Sequence, residues 1–285
     1  MTQHHASTPA APAHADHDDH GGLARDLAAT RHALDRRTAL RLAARAGLGF
    51  TALSVLGCAA DASTAVDETT PPTTNTTCTR IPEEAAGPFP GDGSNGANVL
   101  NLSGVVRSDI RSSFGGLSGI AAGIPMTLDL TIVAASTCAV LANHAVYLWH
   151  CDRGGNYSLY SPGVTNQNYL RGVQAADAAG RVRFTTIFPG CYAGRWPHLH
   201  FEVFRSITAA ADFRNRIATS QIALPKATCD LAYATAGYEQ SVTNLSRISL
   251  ATDGIFRDGA ALQLATMSGT AAAGYTATLT VAVAV

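Results

Sequence analysis

Much of the second half of the chain alternates between apolar and polar residues. In "MTLDLTIVA" (126–134), Met126, Leu128, Leu130 and Ile132 share one parity, while Thr127, Asp129 and Thr131 share the other. That period of two is the mark of a strand with one buried face. "GRVRFTTIFPG" (180–190) sets Val182, Phe184 and Thr186 against Arg181, Arg183 and Thr185 in the same way. "HAVYLWHCD" (144–152) is a short continuous apolar run, "PHLHFEVF" (197–204) and "ATSQIAL" (218–224) follow, and the chain ends in "YTATLTVAVAV". Turn-forming Gly, Asn, Asp and Pro separate these runs, which predicts an all-β chain folded as a β-sandwich with long loops. A helical turn or two is expected between Thr228 and Tyr238, so helices should be few and short. No strand–helix–strand alternation and no glycine-rich phosphate loop occurs, which argues against a nucleotide-binding fold.

The first 77 residues follow other rules. "DRRTALRLAARAGLGFTALSVLGCAA" (35–60) joins an arginine pair, Arg36 and Arg37, to a weakly hydrophobic stretch ending at Cys58. Arg45, Gly47 and Gly49 leave the apolar run short of the ~20 residues a membrane span needs. The segment reads instead as an export signal of the twin-arginine type. Cys58 stands where a lipoprotein would be acylated, giving a lipid anchor; the alternative is cleavage a few residues later, near "GCAADA". The histidine-rich tract ahead of it (4–22) reads as a leader removed with the signal. "AADASTAVDETTPPTTNTT" (59–77) is rich in Thr and Pro and reads as a flexible tether. The expected organisation is a leader and signal over 1–57, a linker over 58–77, and a β-sandwich domain over 78–285. The location expected is periplasmic or on the outer face of the membrane.

Composition narrows the options without choosing among them. The 285 residues carry a formal net charge of -1 and 14% charged residues, so no basic face is predicted and a nucleic-acid partner is not expected. The cysteines at 58, 78, 138, 151, 191 and 229 suit an oxidising compartment. None has C-x-x-C spacing, so a structural zinc site is not expected, and the pairing stays open.

The chemistry concentrates around "FPGCYAGRWPHLHFEVF" (188–204). On a strand, His198 and His200 point to one side while Leu199, Phe201 and Val203 point to the other. Two such imidazoles can meet on one ion, though H-x-H alone fits an ordinary strand equally well. Tyr192 precedes the pair on a glycine turn, and "VYLWHCDRGGNYSLYS" (146–161) presents Tyr157 on another. His150 is expected to be a hydrogen-bonded structural histidine, Glu202 to be solvated or paired, and Trp196 to line a pocket wall.

"WHCDRGGNYS", "YLRGVQAADAAGRVRFTTIFPGCY" and "GRWPHLHFEV" occur in that order. Together with "PEEAAGPFPGDG", "VVRSDIRSSFG", "TSQIAL" and "TDGIFRDGA", they resemble the intradiol ring-cleavage dioxygenases across nearly all of 78–285. The resemblance implies non-haem Fe(III) held by Tyr157, Tyr192, His198 and His200. It implies ring cleavage of a catechol-type aromatic by O2 between its hydroxylated carbons, giving a muconate-type dicarboxylic acid. Tyr192 would leave the metal when substrate binds, with Arg195 and Gln221 as supporting groups. A hard trivalent ion suits this set, because two phenolates offset its charge and two imidazoles add none. Family members that act on catechol or protocatechuate carry a longer insertion before the histidine pair, where only "AGRWP" stands here. A more open site for a bulkier or substituted catechol is therefore expected. The contrasting expectation is an exported or lipid-anchored β-sandwich binding module that has lost catalysis.

Overall fold

In the computed structural model, residues 78–285 are described. The signal segment, Cys58 and the linker expected over 1–77 lie outside them. Eight strands run in chain order: β1 (Pro125–Ala134), β2 (Ala145–Trp149), β3 (Arg171–Ala175), β4 (Arg181–Ile187), β5 (His198–Phe204), β6 (Arg216–Ala223), β7 (Thr266–Thr270) and β8 (Gly274–Val283). They form two four-stranded sheets, ordered β4-β1-β8-β7 and β3-β2-β5-β6. Neighbours are antiparallel except β1 and β8, which run parallel. Two short helices, α1 (Lys226–Tyr233) and α2 (Glu239–Leu245), occupy and extend past the stretch where helical turns are expected. The β-sandwich expected from the alternation is the fold observed.

Strand parity decides what each sheet face meets. Met126, Leu128, Leu130 and Ile132 of β1, Val182 and Phe184 of β4, and Leu199, Phe201 and Val203 of β5 fill the space between the sheets. Val146 and Leu148 of β2 join them there. On β1 the opposite parity faces outward, where Asp129 pairs with Arg183 across the β1–β4 ladder. The second sheet differs, because β2 and β5 are buried along their whole lengths. Its outer face carries Ala145, Tyr147 and Trp149, packed under loop residues Phe89, Val99, Leu100, Val105 and Phe114 in a second apolar cluster. A sheet covered on both faces can hold polar side chains away from water, and the candidate site lies on that covered outer face.

Register aligns the relevant residues. Arg171, Trp149, His200 and Gln221 are successive cross-strand partners from β3 through β2 and β5 to β6. Arg171 is buried, and every guanidinium nitrogen donates. Nε bonds Ser158 Oγ, Nη1 bonds Pro90 O and Tyr147 Oη, and Nη2 bonds Phe89 O and Ser158 O. One cation thus ties the entry segment, the sheet and the loop after β2 together. Cys78 and Cys138 form a disulfide with a sequence separation of 60, a span for which the chain-entropy account gives about 4 kcal/mol. Cys151, Cys191 and Cys229 are buried free thiols.

Candidate metal centre

The first tyrosine stands on a turn built by an aspartate. Asp152 Oδ1 accepts from the backbone N–H groups of Gly154 and Asn156, and Gly155 N–H donates to the Asp152 carbonyl. This folds "DRGGN" back on itself and delivers Tyr157, whose own N–H donates to Ser161 Oγ. The second tyrosine is held by the helices. Ser241 of α2 accepts from Cys191 N–H, and Asn244 donates to the Cys191 carbonyl. Tyr233 and Tyr238 donate their hydroxyls to the carbonyls of Pro189 and Phe188.

The two turns interlock through glycines. A Cβ on Gly155, whose φ is +86°, would stand 3.0 Å from Tyr192 Cβ. One on Gly190 would come within 2.5 Å of the Arg153 carbonyl. Only glycine permits so close an approach of the two backbones.

These elements bring together four of the six predicted site residues around one point. His198 and His200 face each other with Nε2 atoms 3.0 Å apart. Tyr157 Oη lies 3.1 Å from His200 Nε2 and 3.5 Å from His198 Nε2. Tyr192 Oη lies 3.4 Å from His198 Nε2. The other two surround them. Arg195 Nη1 is 3.4 Å from Tyr192 Oη, and its Nη2 donates to Gln221 Oε1 at 2.6 Å. Gln221 in turn donates Nε2–H to the Ala85 carbonyl. Both residues therefore sit in buried hydrogen bonds.

Electrostatics prepares the histidines to bind a cation. Burial, reinforced for His198 by the Arg195 guanidinium and for His200 by His198 and then Arg195, holds both well below the ordinary imidazole range. They are therefore neutral near pH 7. His198 Nδ1–H donates to the Trp196 carbonyl, which leaves the Nε2 lone pair facing the cluster. Two ligands ~2.1 Å from a shared ion and 90–120° apart are roughly 3.0–3.6 Å from each other. The donor separations here, from 3.0 to 3.5 Å, match that spacing. The two imidazoles offer only two donors, so an ion held here would take the phenol oxygens as its further ligands. A set of two phenols and two imidazoles fits a hard trivalent cation.

One residue of the centre escaped the sequence. Asp253 is fully buried, and its Oδ2 accepts from Arg195 Nε at 3.0 Å and from Trp196 N–H at 2.7 Å. Its Oδ1 accepts from the N–H groups of Ile255 and Phe256, closing the turn that follows. Asp253 lies in "TDGIFRDGA", a stretch that carries the resemblance, but nothing in the pattern joins it to a residue 58 positions earlier. Asp253→Asn would remove the buried carboxylate that pairs with Arg195 Nε, and would set an amide N–H against one of the donors Asp253 now accepts from. Its expected cost is about 3–5 kcal/mol, checked by chemical denaturation beside Asp253→Glu, which keeps the charge.

Three flanking residues settle differently. His150 has the structural role expected of it, donating Nδ1–H to the Cys151 carbonyl and accepting at Nε2 from Thr186 Oγ1. Trp196 is not a pocket wall. It packs in the core between the sheets and donates its indole N–H to the Leu224 carbonyl, because so large a ring gains most where both its body and its N–H are accommodated. Glu202 is paired rather than solvated. It is wholly buried, with Oε1 accepting from Thr219 Oγ1 and lying 3.6 Å from Arg216 Nε, while Oε2 has no partner among the described residues.

Burial, then the charge of Asp92, pushes the Glu202 carboxyl up to about 8. An acid raised in the folded state costs stability as pH climbs from its unfolded value toward its folded one, here from about 4.5 to about 8. Glu202→Gln is therefore expected to raise the melting temperature at pH 8 and leave it unchanged at pH 4. The gain is at most about 4 kcal/mol at roughly 1.4 kcal/mol per pH unit, and scanning calorimetry at the two pH values checks it.

Comparison with known proteins agrees with this architecture. A family model described as dioxygenase matches residues 116–214. An intradiol ring-cleavage dioxygenase from Tetranychus urticae is similar in structure at 23% identity and a TM-score of 0.52, over 63% of this chain and 87% of that one. A second solved dioxygenase is similar at 23% identity and a TM-score of 0.58, over 73% of this chain and 95% of that one. Residues 116–214 thus match the dioxygenase family, and the chain carries the fold of the intradiol ring-cleavage dioxygenases that its sequence resembles.

Proposed function

We propose that the protein is a non-haem Fe(III) intradiol dioxygenase. It would open the ring of a catechol-type aromatic between its two hydroxylated carbons with O2, giving a muconate-type dicarboxylic acid. The observation that carries this reading is the convergence of Tyr157, Tyr192, His198 and His200 on a covered sheet face, with the two imidazole nitrogens 3.0 Å apart and a phenol oxygen 3.1 to 3.5 Å from each. Ferric iron bound there would supply a Lewis acid that favours the deprotonated catechol and activates its ring toward oxygen.

The chain's own residues divide the remaining work. Tyr157, Tyr192, His198 and His200 would hold the ion, the histidines as neutral donors. Tyr192 is partly exposed where Tyr157 is buried, so Tyr192 is the donor an entering substrate reaches first. Its Oη lies beside Arg195 Nη1, so a substrate proton accepted there would be exchanged next to a fixed cation. The same guanidinium, held by Asp253 and Gln221, would stabilise negative charge developing on the ring. At the rim Ala193 is exposed and Gly194 half-buried, so the short "AGRWP" segment supplies little wall. That supports a bulkier or substituted catechol over catechol itself.

We also place the protein outside the cytoplasmic membrane, exported by the twin-arginine-like segment, with 58–77 as its tether. The disulfide between Cys78 and Cys138 supports that compartment.

The test is reconstitution of the full chain with iron, followed by oxygen uptake on a panel of catechols. A reddish protein, with one O2 consumed per ring opened and substituted catechols preferred, is expected. A colourless, iron-free protein after reconstitution would defeat the reading and favour a binding module. Turnover confined to unsubstituted catechol would defeat the substrate assignment alone.

A further inference from the structure

The two histidines of the centre are held in different ways. A metal-bound imidazole usually donates its remote N–H to a carbonyl or carboxylate, which fixes the plane of the ring. His198 follows this rule through the Trp196 carbonyl. His200 does not, since its Nδ1 is buried and has no partner among the described residues.

A different contact constrains the His200 ring. Trp149, the last residue of β2, is its cross-strand partner, and the two rings lie nearly parallel, 10° apart with centroids at 5.0 Å. The indole is itself fully buried and stacks on Tyr147, 24° apart with centroids at 5.0 Å. Tyr147 is anchored in turn, donating its hydroxyl to the Pro90 carbonyl and accepting from Arg171 Nη1. The stack therefore ends on a fixed point. Rotating the His200 ring out of its plane would break the face-to-face contact and swing Nε2 away from Tyr157 Oη.

We propose that Trp149 is the positioning residue of His200, its stacked face doing for this ligand what the Trp196 carbonyl does for His198. The assignment rests on the iron-centre reading, but the stack itself can be examined without metal.

The test compares Trp149→Phe, which keeps a flat ring at the position, with Trp149→Leu, which does not. Each variant's iron affinity is measured by chelator competition, and its ferric site by electron paramagnetic resonance. In the wild type and the phenylalanine variant, affinity should agree within about threefold and one ferric species should appear. The leucine variant should lose roughly 10–100-fold in affinity, the range for removal of an orienting partner, and show more than one ferric species.

Histidine-labelled, metal-free protein gives a second readout, with the His200 resonance assigned from His200→Gln. Ring current from the indole should shift the His200 Cδ2 proton upfield in the wild type, and that shift should vanish in the leucine variant. Both variants lose side-chain volume, so a fall in melting temperature alone does not separate them; should Trp149→Leu fail to fold, Trp149→Met carries the same comparison. Wild-type affinity with a single ferric species in the leucine variant overturns the proposal, as does an unshifted His200 proton in the wild type. So does a phenylalanine variant as impaired as leucine, which would show that volume matters and stacking does not. A wild type that holds no iron defeats the metal reading instead, and the resonance experiment still decides the stack.

Discussion

Tyr157→Phe is expected to remove iron, colour and turnover together, with only a small loss of fold. The phenol oxygen lies within reach of both imidazoles, at 3.1 Å from His200 and 3.5 Å from His198, and the side chain is 1% exposed. The ring also packs on Phe89, with centroids 4.9 Å apart, and phenylalanine preserves that contact. What disappears is one of the two negative charges that would offset a trivalent ion in a buried site. The fall in iron affinity should exceed the roughly 10–100-fold seen when a mere orienting partner is lost. Turnover should drop at least 10²–10³-fold, roughly the scale for removing one strong stabilising group. Tyr192→Phe makes the contrast. That ring is partly exposed, so its variant should retain more iron, with an altered absorption band and little turnover. Titration of iron against each variant, followed in the visible spectrum, checks both. A Tyr157→Phe protein that stays coloured and active would remove this residue from the centre.

Arg171→Met is expected to produce the largest loss of stability. The guanidinium is the common donor for the buried carbonyls of Phe89, Pro90 and Ser158, and for the hydroxyls of Ser158 and Tyr147. Methionine fills much of the volume and donates nothing. Charge-assisted bonds are each worth roughly 1.5–3 kcal/mol, and a buried acceptor stranded without a donor costs about 1–3 kcal/mol. A loss of about 4 kcal/mol or more follows, or roughly 8–16 °C in Tm for a domain of this size. Arg171→Lys should recover little, because one ammonium cannot reach acceptors spread over three segments. The same change releases Ser158, the neighbour of Tyr157, so iron binding should weaken even where the protein remains folded. Thermal melts of both variants settle the matter, and a methionine variant within 2–3 °C of wild type would show that the clamp is dispensable.

How much of this could be read from the chain alone varies with the range of the interaction. Strand periodicity is local, and it placed β1, β4, β5 and β8 and put His198 and His200 on one face. The helices α1 and α2 show weakly because their residues mix apolar and polar without a clean stripe; packing under the loop at 188–191 fixes them. "RGVQA" and "TMSGT" have no strict alternation, so β3 and β7 emerge only from pairing with β2 and β8. Asp253, Arg171 and Trp149 lie in stretches that carry the resemblance, but they act through partners far away in sequence, and no spacing rule joins them to those partners. Glu202 has the parity of the histidines, which suggested a polar face; that the loops would bury this face is a tertiary fact.

The contact between Gly155 and Tyr192 also bears on how substrate preference could be altered in such a molecule. The two tyrosine turns touch backbone to side chain, so lengthening either one displaces the other and with it a donor of the centre. Variation that leaves the chemistry intact is thereby channelled to the rim, at Ala193, where the side chain faces solvent. A larger side chain substituted at Ala193 could narrow the entrance without changing the length of the turn that carries Tyr192.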